Sequence, residues 1–189
     1  MRKIMFAIAL TLVGSTPAFA VTIGFNSLVG ANGDPYLGHS ESGFSVTPTA
    51  GEWREAHLFG NPVPDIFGVT PTATVDVTGG LFTFSSVELA DAAGGGCTTC
   101  ATFLVTGFLL GAPQFSFGGT TTSSFVPYAN PAPGAIIDTL RITMTQGAAT
   151  YNIDNIVVTP SAAVPEPATL VLLGSGLVAG AARLRRRRM

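Results

Sequence analysis

Between Val21 and Ala163 the chain contains no lysine, and Arg54 and Arg141 are its only basic residues against ten acids, a net charge of −8. Nothing in this stretch can neutralise a phosphate backbone, which excludes nucleic-acid binding, and the sign also opposes adhesion to anionic lipid. There are only two cysteines, Cys97 and Cys100, and two histidines, His39 and His57, too few for a zinc signature. No Gly-x-Ser-x-Gly elbow, His-Glu-x-x-His helix or phosphate-cradling glycine loop occurs. Leucine and alanine never fall into a sustained helical stripe, so the body is not helical. What these absences leave is an acidic segment without recognisable catalytic machinery.

What is present is the vocabulary of strands and turns: Gly, Pro, Thr, Ser, Val and Phe. In "TLRITMT", Leu140, Ile142 and Met144 alternate with Arg141 and Thr143, the pattern of a half-buried antiparallel strand. "GGLFTFSSVEL" sets Phe82 and Phe84 on one face after a Gly-Gly turn. Further strands are predicted at Val21–Val29, Gly43–Thr47, Trp53–Phe59, Ala73–Val77, Ala101–Leu110, Ser124–Tyr128 and Tyr151–Thr159. They are separated by "GANGDP", "GNPVPD", "AAGGG", "FGGTTTSS" and "NPAPG". About nine short strands at near-regular spacing predict an all-β, antiparallel β-sandwich over residues 21–160. An irregular β-solenoid is the alternative, and no fixed repeat period supports it.

Several residue sets could carry chemistry in such a body. Cys97 and Cys100, with no other cysteine to pair with, predict a local disulfide pinning a loop in an oxidising compartment; a thioredoxin-like redox role would need a βαβ context. His39 with Glu41, and Glu55 with His57, have the i, i+2 spacing that puts both side chains on one face of a strand. Each pair could bind a metal or act as acid and base, or be a solvated polar face. Glu52, Glu55 and Glu88 are the carboxylates a glycoside hydrolase could use if two of them faced each other across a cleft. Trp53, Tyr36, Tyr128 and Tyr151 could form sugar platforms, with Trp53 either the exposed platform or a core residue. "TTTSS", Thr120–Ser124, is threonine-rich, but no regular Thr-x-Thr array for a flat ice-binding face is evident in the sequence.

The closing stretch "ATYNIDNIVVTP" resembles the last strand of galactose-binding-like jelly rolls, the fold of many carbohydrate-binding modules, and "SESGFSV", Ser40–Val46, is placed like their early strand. The resemblance implies a jelly-roll-like sandwich, a possible sugar ligand, and a structural calcium ion held by Asp154 with backbone carbonyls, since calcium takes hard oxygen ligands. An aspartate at a strand end can equally accept a hydrogen bond from a neighbouring amide.

The two ends differ from the body. "MRKIMFAIALTLVGSTPAFA" has Arg2 and Lys3, a short apolar run and Ala18-Phe19-Ala20, which reads as a secretory signal peptide over residues 1–20, cleaved between Ala20 and Val21. At the other end, "VPEPATLVLLGSGLVAGAARLRRRRM" carries fifteen uncharged residues, Ala168–Ala182, and then Arg183, Arg185, Arg186, Arg187 and Arg188. As a helix, the fifteen would span about 22 Å, a marginal single transmembrane helix against a hydrocarbon core of about 30 Å. The arginines would stay cytoplasmic and leave Pro165, Glu166 and Pro167 just outside. The prolines keep that triplet extended.

This order of elements closely resembles the PEP-CTERM sorting tail of exported bacterial proteins. The resemblance implies recognition by an exosortase, transient anchoring in the inner membrane, removal of the tail, and delivery to the cell surface or extracellular matrix of a Gram-negative bacterium. The expected organisation is signal peptide 1–20, ectodomain 21–160, linker with the Pro-Glu-Pro motif 161–167, transmembrane helix 168–182 and basic tail 183–189. The function expected is that of a non-enzymatic structural or glycan-binding component of an exopolysaccharide layer, partnered by extracellular polysaccharide. A secreted carbohydrate-active hydrolase and an ice- or mineral-surface binder are the alternatives.

Overall fold

The structure, a computed structural model, describes residues 19–91, 97–147 and 150–161. The signal sequence up to Ala18, the Pro-Glu-Pro motif, the expected membrane span and the arginine cluster lie outside the described residues. At the expected cleavage point Ala20 is exposed, and Val21 opens the first strand.

Every regular element among the described residues is a strand, and every pairing is antiparallel. The strands are β1 Val21–Ile23, β2 His39–Glu41, β3 Phe44–Ala50, β4 Trp53–Ala56, β5 Asp65–Gly68, β6 Thr72–Asp91, β7 Thr102–Leu109, β8 Ala112–Thr120, β9 Val126–Ala129, β10 Ile136–Thr145 and β11 Tyr151–Pro160. The fold is organised by β6, a single strand of 20 residues. Its first half lies between β3 and β10, with β7 and β8 continuing outward from β10. Its second half lies between β11 and β9, and β11 carries β5 and β4 at one end and β1 at the other.

The two halves pack face to face as a β-sandwich. Phe84 of β6 stacks on Phe115 of β8 with ring centroids 6.1 Å apart, and Phe103 of β7 meets Tyr128 of β9 at 4.4 Å. Trp53 of β4 lies edge-on to Tyr151, 5.6 Å away, and donates its indole N–H to the Thr74 carbonyl at 3.3 Å. Burying each such aromatic contributes about 1.5–3 kcal/mol. Along β10, Leu140, Ile142 and Met144 are buried while Arg141 and Thr145 are exposed, as the alternation predicts.

Three expectations need correction. The Gly79-Gly80 pair does not end a strand but bends β6 from one layer to the other. Gly80 has φ +80°, and a Cβ on Gly79 would sit 2.5 Å from the Phe44 ring, so this crossing requires residues without side chains. Second, β5 and β8 lie outside the predicted strands, and Ser40–Val46 is divided by a turn at Ser42-Gly43 into the end of β2 and the start of β3. "FGGT" is strand rather than turn, because Leu110 and Gly111, both at positive φ, close a two-residue hairpin that folds β8 back on β7. Third, threonines that are scattered in the sequence meet through register, with Thr72, Thr145, Thr102 and Thr120 aligned across β6, β10, β7 and β8, although Leu104, Gly118, Asp76 and Arg141 interrupt the rows beyond them.

Candidate functional site

The register β5–β11–β6 brings three carboxylates side by side. Ile66 pairs with Ile153 and Glu88 with Asp154, so Asp65, Asp154 and Glu88 point from adjacent strands to the outer side of their layer. Asp65 and Asp154 are fully buried. The loop between β4 and β5 closes over them. The Asn61 amide donates to Asp154 Oδ2 at 2.6 Å, and the Asn61 side chain donates to Glu88 Oε2 at 3.0 Å. A register shift after Asp154 places Asn155 at φ +43°. From there its amide donates to Asp154 Oδ1 at 2.7 Å, and its side chain reaches Glu88 Oε2 at 3.0 Å and the Asn61 carbonyl.

Burial raises the Asp154 carboxyl to about 7, opposed by the two amides and reinforced by Glu88 and Glu41. Burial likewise raises Asp65 to about 8, opposed by Asn152 and reinforced by Asp154. Asp65 Oδ2 accepts from Asn152 Nδ2 at 2.9 Å, while Asp65 Oδ1 and Asn152 Oδ1 have no partner. The arrangement clamps the loop between β4 and β5, and the burial of its two aspartates favours their protonated forms. It is sealed from solvent at both aspartates, so neither can reach a substrate as general acid.

Asp154, the expected calcium ligand, is engaged by backbone amides at both carboxylate oxygens. Oδ2 accepts from Asn61 and Oδ1 from Asn155, the strand-end arrangement in which an aspartate accepts from neighbouring amides. Among the described residues, Asp91, Cys97 and Cys100 have metal-ligand spacing, but the two cysteines are joined as a disulfide and offer no thiolate. Asp91 instead accepts from the Ala101 amide at 2.8 Å, so carboxylate and disulfide fasten the same connection.

Both histidine–carboxylate pairs meet. His39 Nε2 lies 3.4 Å from Glu41, with Nδ1 2.8 Å from the Tyr36 hydroxyl; His57 Nε2 lies 3.0 Å from Glu55. Glu55 also accepts from the Gly30 amide, and the His57 amide donates to Asn32, so this pair holds down the loop ahead of β2. Glu52 pairs with Arg54 at 2.6 Å, Glu55 with His57 and Gly30, and Glu88 with Asn61 and Asn155. Each of the three carboxylates is thus engaged separately, and they do not form an opposed pair.

Trp53 is 1 % exposed, which removes it as a sugar platform, and Tyr36 and Tyr151 are buried too. The Tyr128 hydroxyl is taken by the Thr120 carbonyl. The open apolar residues are ones that sequence reasoning passed over. Leu58, Phe59 and Asn61 face Ser123, Ser124 and Phe125 across a groove of about 510 Å³. Asn61 links this groove to the acidic row beneath it.

No curated protein matched the chain. Among solved structures, that of TmCBM61 in complex with beta-1,4-galactotriose is similar at 10 % identity and a TM-score of 0.40, covering 64 % of this chain and 90 % of that one. A likeness this distant adds nothing to the architecture already described. The family profile described as the PEP-CTERM protein-sorting motif matches residues 163–188, beginning one residue before Val164 and ending on the last arginine. This match coincides with the order of Pro-Glu-Pro, apolar run and arginines read from the sequence, and such a motif implies an exported protein processed by an exosortase. The chain therefore carries a PEP-CTERM protein-sorting motif at its C-terminal end.

Proposed function

We propose that the chain is the precursor of a surface or matrix protein: a signal peptide starts its export, the C-terminal segment anchors it briefly in the inner membrane, and an exosortase releases the sandwich. The observation that carries this reading is the sorting motif at residues 163–188. Its charge pattern fits the role, because five of the nine basic residues fall within the last seven positions, where they hold one end of a short span inside. The released body is acidic and non-enzymatic, and serves as a structural or glycan-binding component of an exopolysaccharide layer. One feature supports a binding role over catalysis: Glu52, Glu55 and Glu88 are engaged separately by Arg54, His57 and Asn61.

Replacing Pro165, Glu166 and Pro167 together by alanine tests the sorting step. The variant is expected to accumulate as uncut precursor in the membrane fraction, and normal release from the membrane would overturn the reading. A glycan array probed with the purified protein tests the body. Binding to one neutral class of glycan is expected, and uniform silence would remove the glycan role while leaving the structural one.

A further inference from the structure

On the side of the sheet away from the core, the first half of β6, β10, β7 and β8 line up alternate residues, threonine most often; Thr74 among them is buried, and Leu104 and Gly118 continue its row on β7 and β8. The pairings Thr72–Thr145, Thr145–Thr102 and Thr102–Thr120 align four threonines across four strands. In the next row Thr74 and Thr143 share a hydrogen bond between hydroxyls at 3.0 Å, and in the third Thr106 and Ser116 do the same. Rows lie about 7 Å apart along the strands and their members about 4.8 Å apart across them. Threonine is stiff about χ1, so its methyl and hydroxyl groups are held in place before anything binds.

The third row also contains an ion pair. Arg141 donates from Nε and Nη2 to the two oxygens of Asp76, 2.8 Å each, and the pair cancels. The guanidinium lies 5.5 Å from the centre of the Phe108 ring. Beside them is a hollow of about 310 Å³ lined by Asp76, Phe108, Gly111, Thr139 and Arg141. Asp138 stands beside the hollow, accepting from the Thr139 hydroxyl at 2.9 Å and the Leu110 amide at 2.7 Å, so the face has no excess of positive charge on a body of net charge −8 and gives an anionic polymer nothing to pair with.

We propose that this threonine face binds a neutral polysaccharide chain, with the hollow beside Arg141 and Phe108 receiving one sugar unit. This rests on the reading of the body as a component of a glycan layer, and it assigns the contact surface to the sheet rather than to the groove at Phe59. A sugar chain presents hydroxyls and C–H patches in alternation, which suits threonine hydroxyls and methyls. The Arg141–Asp76 pair offers donors and acceptors at fixed positions, and Phe108 offers an apolar edge. An ice surface is the other ordered, uncharged partner such a face could meet, but a charged pair and an aromatic ring in the middle interrupt a uniform hydroxyl array.

The test is affinity electrophoresis of the purified protein in gels containing hydroxyethyl cellulose, galactan or alginate. Retardation by at least one of the two neutral polymers is expected, with none by anionic alginate and no weakening on adding salt. Thr145→Lys and Arg141→Ala should each weaken it by about tenfold or more, while Phe59→Ala should leave it unchanged. Circular dichroism of each variant separates lost binding from lost fold; Thr145 is exposed, so its variant is the safer of the two. Retardation that survives both face variants but is lost in Phe59→Ala would overturn the face and leave the glycan reading standing. No retardation in either neutral gel would overturn both. Thermal hysteresis of the protein solution without retardation would mean an ice surface instead, and would overturn the proposal.

Discussion

Replacing Asp65 by asparagine should remove a pH-dependent loss of stability built into the fold. In the native state Asp65 Oδ2 accepts from Asn152 Nδ2, and Asp65 Oδ1 and Asn152 Oδ1 are two buried acceptors without a donor. One proton on Asp65 supplies a donor where both of these buried acceptors lack one. The native carboxyl titrates at about 8 against 3.8 for the free group, because burial disfavours the anion and the Asp154 charge adds to that. The folded state therefore holds a proton that the unfolded chain has released. The contribution is complete below about pH 4, declines by about 1.4 kcal/mol per pH unit as pH rises, and is gone above about pH 8, a total on the order of 5 kcal/mol. Asp154, raised to about 7, declines in the same direction. In Asp65→Asn the new amide donates to Asn152 Oδ1 at every pH. Urea unfolding of both proteins between about pH 5 and pH 9 reads the difference directly: the variant should gain on the wild type steadily as pH rises to 8 and hold that gain above it. Parallel stability curves would refute the proton link, and a variant less stable at every pH would refute the acid–amide geometry.

Three smaller perturbations follow from the same contacts. Asn155→Ala loses side-chain bonds to Glu88 and to the Asn61 carbonyl, and puts alanine at φ +43°. It should cost about 1–3 kcal/mol in thermal or urea unfolding and increase proteolysis within residues 57–64. Leu110→Asn, at the positive-φ tip of the β7–β8 hairpin where the leucine is 90 % exposed, should raise the melting temperature by a stabilisation of about 0.5–1 kcal/mol. Trp53→Ala should cost about 3–5 kcal/mol, since it empties a fully buried site and strands the Thr74 carbonyl; a near-neutral effect would contradict its place in the core.

The alternation in "TLRITMT" and "GGLFTFSSVEL" was enough to identify β10 and the second half of β6, because period 2 is a local property of the chain. The hairpin Leu110-Gly111 escaped notice because leucine is a poor signal for a positive-φ turn, and without the turn β8 had no visible start. The acidic row was illegible for a different reason. Asp65, Glu88 and Asp154 lie far apart in sequence and meet only through strand register, which no local pattern encodes. The threonine face has the same origin: each strand contributes one to three threonines, and only pairing turns them into rows. Trp53 was ambiguous between core and platform because tryptophan serves both, and the indole bond to Thr74 decided it. The sorting tail needed no register at all. Its three elements are consecutive, so sequence alone displayed them.

The most direct measurement is the C-terminus of the mature protein isolated from its native host and determined by intact-mass and peptide mass spectrometry. A polypeptide beginning at Val21 and lacking Ala168–Met189 is the predicted result. A chain that still ends at Met189 would contradict processing and with it the assignment of this protein to the cell surface or matrix.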